Sequence, residues 1–210
     1  MTQRQLALST ILLLVSACDT TRESEPAKPA APASPTTAAE PSAPAAPEEP
    51  AAAATGLVLA PQSGWAVESP SSKMRKAQYL LPRAEGDAQD ASLVVYYFGP
   101  NGGGGREANL QRWAGQFEQP DGSESSSHLK SADRTVNGLA VTDVELSGTY
   151  VAETSPGSGE RVREEGWRML ASIVDTPAGP YYAKLVGPEK TIARWEASYR
   201  AFVDSLRYAP

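Results

Sequence analysis

A break in composition at Thr55 and Gly56 constrains this chain more than any motif in it. From Asp19 to Thr55 there is no Val, Ile, Leu, Met or aromatic residue, and 21 of the 37 positions are Ala or Pro. Such a stretch cannot bury enough apolar area to offset the entropy of ordering it, which predicts a disordered tether with a polyproline II bias. At about 3.1 Å per residue its fully extended reach is ~115 Å. It lacks the interleaved Arg or aromatic anchors of Pro-rich recognition ligands, so a spacer role is expected. All four Trp, eight Tyr and three Phe lie beyond it, between Gly56 and Pro210. Residues 56–210 have the length of one domain, and without a cysteine they must hold together through their core alone.

Ahead of the tether, residues 1–17 read as a signal peptide. Arg4 and the free amine form a positive n-region, and Leu6 to Ala17 is an apolar h-region of twelve residues. Twelve are too few to span ~30 Å of hydrocarbon, for which a helix needs about 20. The run Leu14-Val15-Ser16-Ala17-Cys18 resembles the lipobox of bacterial lipoproteins, and Cys18 is the single cysteine. That resemblance implies cleavage before Cys18, a diacylglyceryl group on its sulfur and acylation of the new amine. Two or more acyl chains on one residue anchor a protein stably, at about 0.8 kcal/mol per buried methylene. The expected organisation is a lipoprotein signal at 1–17, a lipidated Cys18 with its Ala/Pro-rich tether over 18–55, and a folded domain over 56–210. The expected location is the cell envelope, with the chain lipid-anchored to a membrane and facing the periplasm or the exterior.

Charge narrows the partners. From Gly56 onward 16 Lys and Arg stand against 19 Asp and Glu, a net charge of −3. No basic excess is present to hold a phosphate backbone, so nucleic acid is not an expected partner.

Periodicity orders the elements of the domain. Trp65–Glu68, Lys76–Leu81 and Ser92–Phe98 read as strands. After the glycine loop Gly99-Pro100-Asn101-Gly102-Gly103-Gly104-Gly105, the residues Leu110, Trp113, Ala114 and Phe117 fall at i, i+3, i+4 and i+7 and predict a helix ended by Pro120-Asp121-Gly122. Leu129–Val136 and Leu139–Tyr150 flank Asn137-Gly138, a pair suited to a type I′ hairpin. A mobile stretch is expected around Ser155-Pro156-Gly157-Ser158-Gly159. A second hairpin then joins Gly166–Val174 to Tyr181–Val186 through Pro177-Ala178-Gly179. A last helix opens with Pro188 at its first position and carries Ile192, Trp195, Tyr199, Phe202 and Leu206 on one face. Trp113 and Trp195 are read as core residues, while the strand residues Trp65 and Trp167 have no assigned facing.

Hairpins between most neighbours predict an α/β (α+β) domain, a mainly antiparallel sheet of six to seven strands covered by two helices. Met74-Arg75-Lys76-Ala77-Gln78-Tyr79, the second hairpin, and Gly187-Pro188-Glu189-Lys190-Thr191-Ile192 with Phe202 and Leu206 resemble the Mog1/PsbP-like fold. The run Tyr96-Tyr97-Phe98-Gly99 through the glycine loop to Arg112-Trp113 and Gln116-Phe117 is similar to a group of bacterial lipoproteins within it. The resemblance spans nearly all of Gly56 to Arg207, but it rests on scaffold residues. It therefore implies the fold and no activity.

The candidate chemistry is sparse. His128 is the single histidine and follows Ser125-Ser126-Ser127, but no Gly-x-Ser-x-Gly elbow accompanies it, and a solvated loop is the expected setting. One histidine and one cysteine committed to lipid leave no zinc or copper ligand set, so no metal and no cofactor are expected. Glu85, Asp87 and Asp90 lack the register of a calcium loop and read as a solvated turn. Glu160, Arg161, Arg163, Glu164 and Glu165 read as a mixed-charge surface loop. Gly102, Gly103, Gly104 and Gly105 with Arg106 are the candidate anion or ligand site, because backbone amides before a helix can hold an anion. The alternative for these glycines is a plain connector.

Together these features point to a non-enzymatic, lipid-anchored envelope protein acting as a binding or assembly-accessory module. Its expected partners are the membrane, through the N-terminal lipid, and an envelope protein or small anionic ligand. The rival class is an envelope hydrolase using carboxylates or Ser125–Ser127, and a third is a mere spacer. Convergence of the polar candidates on one pocket distinguishes these classes.

Overall fold

The computed structural model describes residues 55–153 and 158–210. The expected signal peptide, Cys18, the expected tether up to Ala54 and residues 154–157 of the stretch expected to be mobile lie outside the described residues. The first strands are β1 (Gly56–Val58), β2 (Ala66–Glu68), β3 (Arg75–Leu81) and β4 (Ala91–Tyr97). Helix α1 (Arg106–Ala114), strand β5 (Phe117–Glu118) and the single-turn helix α2 (Ser125–His128) follow. The second half holds β6 (Lys130–Val136), β7 (Leu139–Tyr150), β8 (Glu164–Val174), β9 (Tyr181–Pro188), α3 (Glu189–Asp204) and β10 (Arg207–Ala209).

Eight strands form one sheet in the order β2-β3-β4-β9-β8-β7, with β6 on the first half of β7 and β5 on its end. All their pairings are antiparallel. The remaining two strands pair separately, Gly56 opposite Ala209, so the start and end of the domain lie side by side. The result is an α+β fold built on an antiparallel sheet with three helices.

Alternation along the central strands sends side chains to both faces, and each face has its own helix. On one face Leu93, Val95, Leu170, Val174, Ala183 and Leu185 pack under α3, which contributes Ile192, Tyr199, Phe202 and Val203. Trp65, Tyr79 and Phe202 form a ring cluster there, with centroids 5.4 to 6.1 Å apart. On the other face Val144, Leu146, Met169, Ala171, Ile173 and Tyr182 pack under Trp113 and Ala114 of α1 and the following Phe117. Burial on both faces explains why β4, β8 and β9 read as near-continuous apolar runs.

Local chemistry sets the turns. Asn137 (φ 47°) and Gly138 (φ 83°) adopt the left-handed pair that a type I′ hairpin needs. The start of α3 is capped from a distant loop: Asp87 Oδ2 accepts from the Thr191 amide at 2.8 Å and from its hydroxyl at 2.6 Å. This satisfies one of the free amides of the first turn and puts a negative group near the helix N-terminus.

Several details differ from the sequence reading. The first helix stops at Ala114, and Phe117 is buried from strand β5, opposite Tyr150. Its i+7 spacing from Leu110 therefore reflects burial on the same face of the domain rather than helical continuity. Pro188 is the residue before the first turn of α3, with ψ 141°, so it is not the first helical residue. Trp195 is half-buried: it packs against the core while Nε1 donates to the Pro82 carbonyl at 2.8 Å. The third helix, α2, and the short strands β1, β5 and β10 carry too few residues to show a period.

Candidate functional site

The glycine loop and α1 form one unit on the α1 face of the sheet. Gly103 has φ +83°, and a Cβ there would lie 2.6 Å from the Tyr182 ring and 2.8 Å from the Phe98 ring. At Gly102 a Cβ would lie 2.1 Å from the Phe98 carbonyl oxygen. These positions need glycine for close approach, and Gly103 also for its backbone angle. Asn109, 2 % exposed, binds the loop from α1: its Nδ2 donates to the carbonyls of Gly103 and Gly105, each at 3.0 Å. Tyr182 donates its hydroxyl to the Gly104 carbonyl at 2.8 Å. The loop thus turns carbonyl oxygens, not amides, toward Asn109 and Tyr182.

The structure places Arg106 on a different cavity from Arg112 and Lys184. Gly104, Gly105 and Arg106 border a cavity with Asp133, Arg134 and Asp175. Arg106 is paired there with Asp133 at 2.8 Å, and Arg134 with Asp143 and Asp204. Thr142 first, then Arg106, holds the Asp133 carboxyl below its ordinary range, so this carboxylate stays charged beside Arg106.

A second cavity of about 180 Å³ lies on the same face, lined by Tyr96, Phe98, Asn109, Arg112, Trp113, Gln116, Tyr182 and Lys184. Tyr96 and Phe98 are stacked at 5.8 Å with an interplanar angle of 4°, and Tyr182 tilts against Phe98 at 5.9 Å. Phe98 is 38 % exposed, unusual for a large apolar side chain that packs against two other rings. Among the described residues no carboxylate pairs with Arg112 or Lys184. Arg112 instead donates to Asn109 Oδ1 at 2.7 Å.

Lys184 is the residue that sequence reasoning missed. It stands between Ala183 and Leu185 in β9, a central strand whose two neighbours are β4 and β8. Its Nζ donates to Gln116 Oε1 and meets the Tyr150 hydroxyl at 3.3 Å, 5.1 Å from the centroid of the same ring. Tyr150 is itself stacked on Trp167 at 5.3 Å. Desolvation pushes the Lys184 amine down to about 7 and the Tyr150 phenol up to about 12. An ammonium has three donors, and Gln116 and Tyr150 account for two. The available sequence signal was the charge itself: Lys in the middle of Tyr181-Tyr182-Ala183-Lys184-Leu185-Val186 is costly unless it has a role.

The other polar candidates are dispersed. His128 Nε2 is 2.8 Å from Ser123 Oγ, and Ser123 donates to Asp121 at 2.6 Å. These bonds from Ser123 hold the Asp121 carboxyl below its usual range. In a hydrolytic triad the acid orients the histidine, whereas here it accepts from the serine. Ser125 donates to the Phe117 carbonyl and Ser127 to that of Glu124. Asp87 caps α3 and Asp90 accepts from the Arg83 amide at 2.9 Å, so the cluster with Glu85 braces a turn. Among the described residues no group of three His, Cys, Asp or Glu side chains is arranged to hold a metal ion. In the mixed-charge loop, Arg163 pairs with Glu118 of β5.

Fold and site define an α+β domain with a helix on each face of its sheet and a cationic, ring-lined cavity under α1. Among solved structures the chain is similar to LpqN, involved in cell envelope biogenesis of Mycobacterium tuberculosis. The identity is 9 %, the match covers 73 % of this chain and 83 % of that one, and the TM-score is 0.47. It is also similar to PA94 from Pseudomonas aeruginosa, described as a protein of unknown function, at 11 % identity over 70 % of this chain and 99 % of that one, TM-score 0.42. No protein-family model and no curated protein matches the chain.

Proposed function

We propose that this chain is a non-enzymatic, lipid-anchored protein of the bacterial cell envelope whose Mog1/PsbP-like domain captures an anionic ligand. The observation that carries the binding role is the cavity where Arg112 and Lys184 meet aromatic walls with no carboxylate partner among the described residues. Arg112 is a cation without a carboxylate counter-ion, and the desolvated Lys184 amine beside it can take up a proton when an anion binds, so both favour negative charge at this place. The anchor rests on the sequence: the n-region, the short h-region and Cys18 resemble a lipobox, and the Ala/Pro tether provides reach. The glycine loop serves the site by packing Gly103 on Phe98 and Tyr182, two residues of the cavity wall. Its own amides and Arg106 are the competing location for the anion.

The test is direct. The full chain, extracted from membranes in mild detergent, is washed and denatured, and the released small molecules are identified by mass spectrometry. A near-stoichiometric anion that is absent from the Arg112→Met and Lys184→Met chains supports the reading. Equal recovery from wild type and both variants refutes it.

A further inference from the structure

We propose that the cavity under α1 is built for a carboxylate carried on a single aromatic ring, with the ring against Phe98 and Tyr182 and the carboxylate at Arg112, Lys184 and Gln116. The proposal rests on the anion-binding reading above and adds the class of ligand. Size is the first constraint. An apolar cavity of roughly 150 Å³ holds one benzene ring, so about 180 Å³ has room for one ring and a small acid group. The wall chemistry is the second. Four of the eight lining residues are aromatic, and stacked or tilted ring pairs attract one another beyond what area burial alone provides. Phe98 lines this cavity and is 38 % exposed, so it keeps apolar surface that a ligand can cover.

The polar groups are all donors where a carboxylate would need them. Arg112 keeps a guanidinium that no carboxylate occupies, Lys184 has a third donor position, and Gln116 Nε2 makes no hydrogen bond among the described residues. Asn109 is already committed to the glycine carbonyls and to Arg112, so it holds Arg112 in place rather than binding ligand. The ionisable groups facing Lys184 are Arg112 from α1, Tyr96 from β4, Tyr150 from β7 and Tyr182 from its own strand, with no acid among them. A bound carboxylate would therefore be the first counter-charge Lys184 meets, and binding above neutral pH should draw a proton onto the amine.

The experiment is isothermal titration of the full chain in detergent with benzoate, cyclohexanecarboxylate, benzamide, acetate and inorganic phosphate. A change in tryptophan emission that is lost in a Trp113→Phe chain provides a second readout. The expected result is that benzoate binds at least tenfold tighter than the other four. Arg112→Met and Lys184→Met should each weaken it tenfold or more, while Arg106→Met leaves it unchanged. At pH 8, titrations in buffers of different ionisation enthalpy should show proton uptake in wild type and none in Lys184→Met. If acetate or phosphate equals benzoate and both are lost in the two variants, the ring class is wrong and the anion-binding reading survives. If no probe binds at millimolar concentration, or only Arg106→Met abolishes binding, both fall. Arg112 is exposed, so its variant keeps the test valid even if Lys184→Met folds poorly.

Discussion

Lys184 occupies a central strand with rings and an amide for company, and its protonation should be visible in folding. Its amine titrates near 7 in the folded protein because burial disfavours the charged form, against about 10.4 for an unfolded chain. Between those values the unfolded state binds more protons, so this group makes stability rise with pH from about 7 upward and contributes no slope below that. Lys184→Met should remove the slope and raise stability at pH 6 by at least ~1 kcal/mol, because a buried charge is exchanged for an apolar side chain. Denaturant unfolding at pH 6, 7.5 and 9 measures this, and an unchanged slope in the variant would refute the assignment. The glycines permit a similar contrast. Gly105 has φ −71° and nothing within 4 Å of a Cβ, so Gly105→Ala should change stability by well under ~1 kcal/mol, whereas Gly103→Ala meets two rings at positive φ and should cost more than that. The four glycines look alike in the sequence; the sign of φ and the approach of Phe98 and Tyr182 distinguish them in the fold.

The elements differ in how far their sequences disclosed them. The Asn137-Gly138 hairpin was legible because its turn angles are a local property, and α3 because Ile192, Tyr199 and Phe202 recur on one face; Leu206, read as the next residue of that face, is buried but lies beyond the helix, which ends at Asp204. Phe117 was misplaced since burial alone cannot tell a helix turn from the two-residue strand beyond it. The Asp87 cap was not legible at all, because it joins residues 104 apart in sequence. Asp87→Ala should cost about 1 kcal/mol and speed hydrogen exchange at Thr191 and Ile192, the signature of a frayed first turn. A larger loss spread over the whole sheet would show that the β3–β4 loop, not the helix start, depends on Asp87. The two large rings of α3 should also separate. Phe202 has no exposed surface and its truncation to Ala should cost about 3 to 5 kcal/mol, while half-buried Trp195→Ala should cost roughly half as much. Equal losses would mean that Trp195 carries more of the packing than its exposure allows.

At the scale of the whole molecule, the proposed anchor and the domain are separable by composition. Every aromatic residue lies in 56–210, and β1 begins at Gly56, where it pairs with β10 at the other end of the domain. Among the described residues, the core clusters on both sheet faces begin with Leu57. The composition of Asp19–Thr55 predicts a segment with too little apolar surface to pack, so deleting it should shift the melting midpoint by no more than ~2 °C. The same deletion should abolish function that depends on reach, because Cys18 would then join the fold directly. Cys18→Ser tests the opposite end of the argument. It should leave the folded domain unchanged by circular dichroism while the protein moves from the membrane to the soluble fraction or retains its first 17 residues, as mass spectrometry would show. A Cys18→Ser chain still membrane-bound after cleavage of the signal would assign membrane attachment to another segment. Reduced melting cooperativity in the deletion variant would instead show that part of the tether packs on the domain.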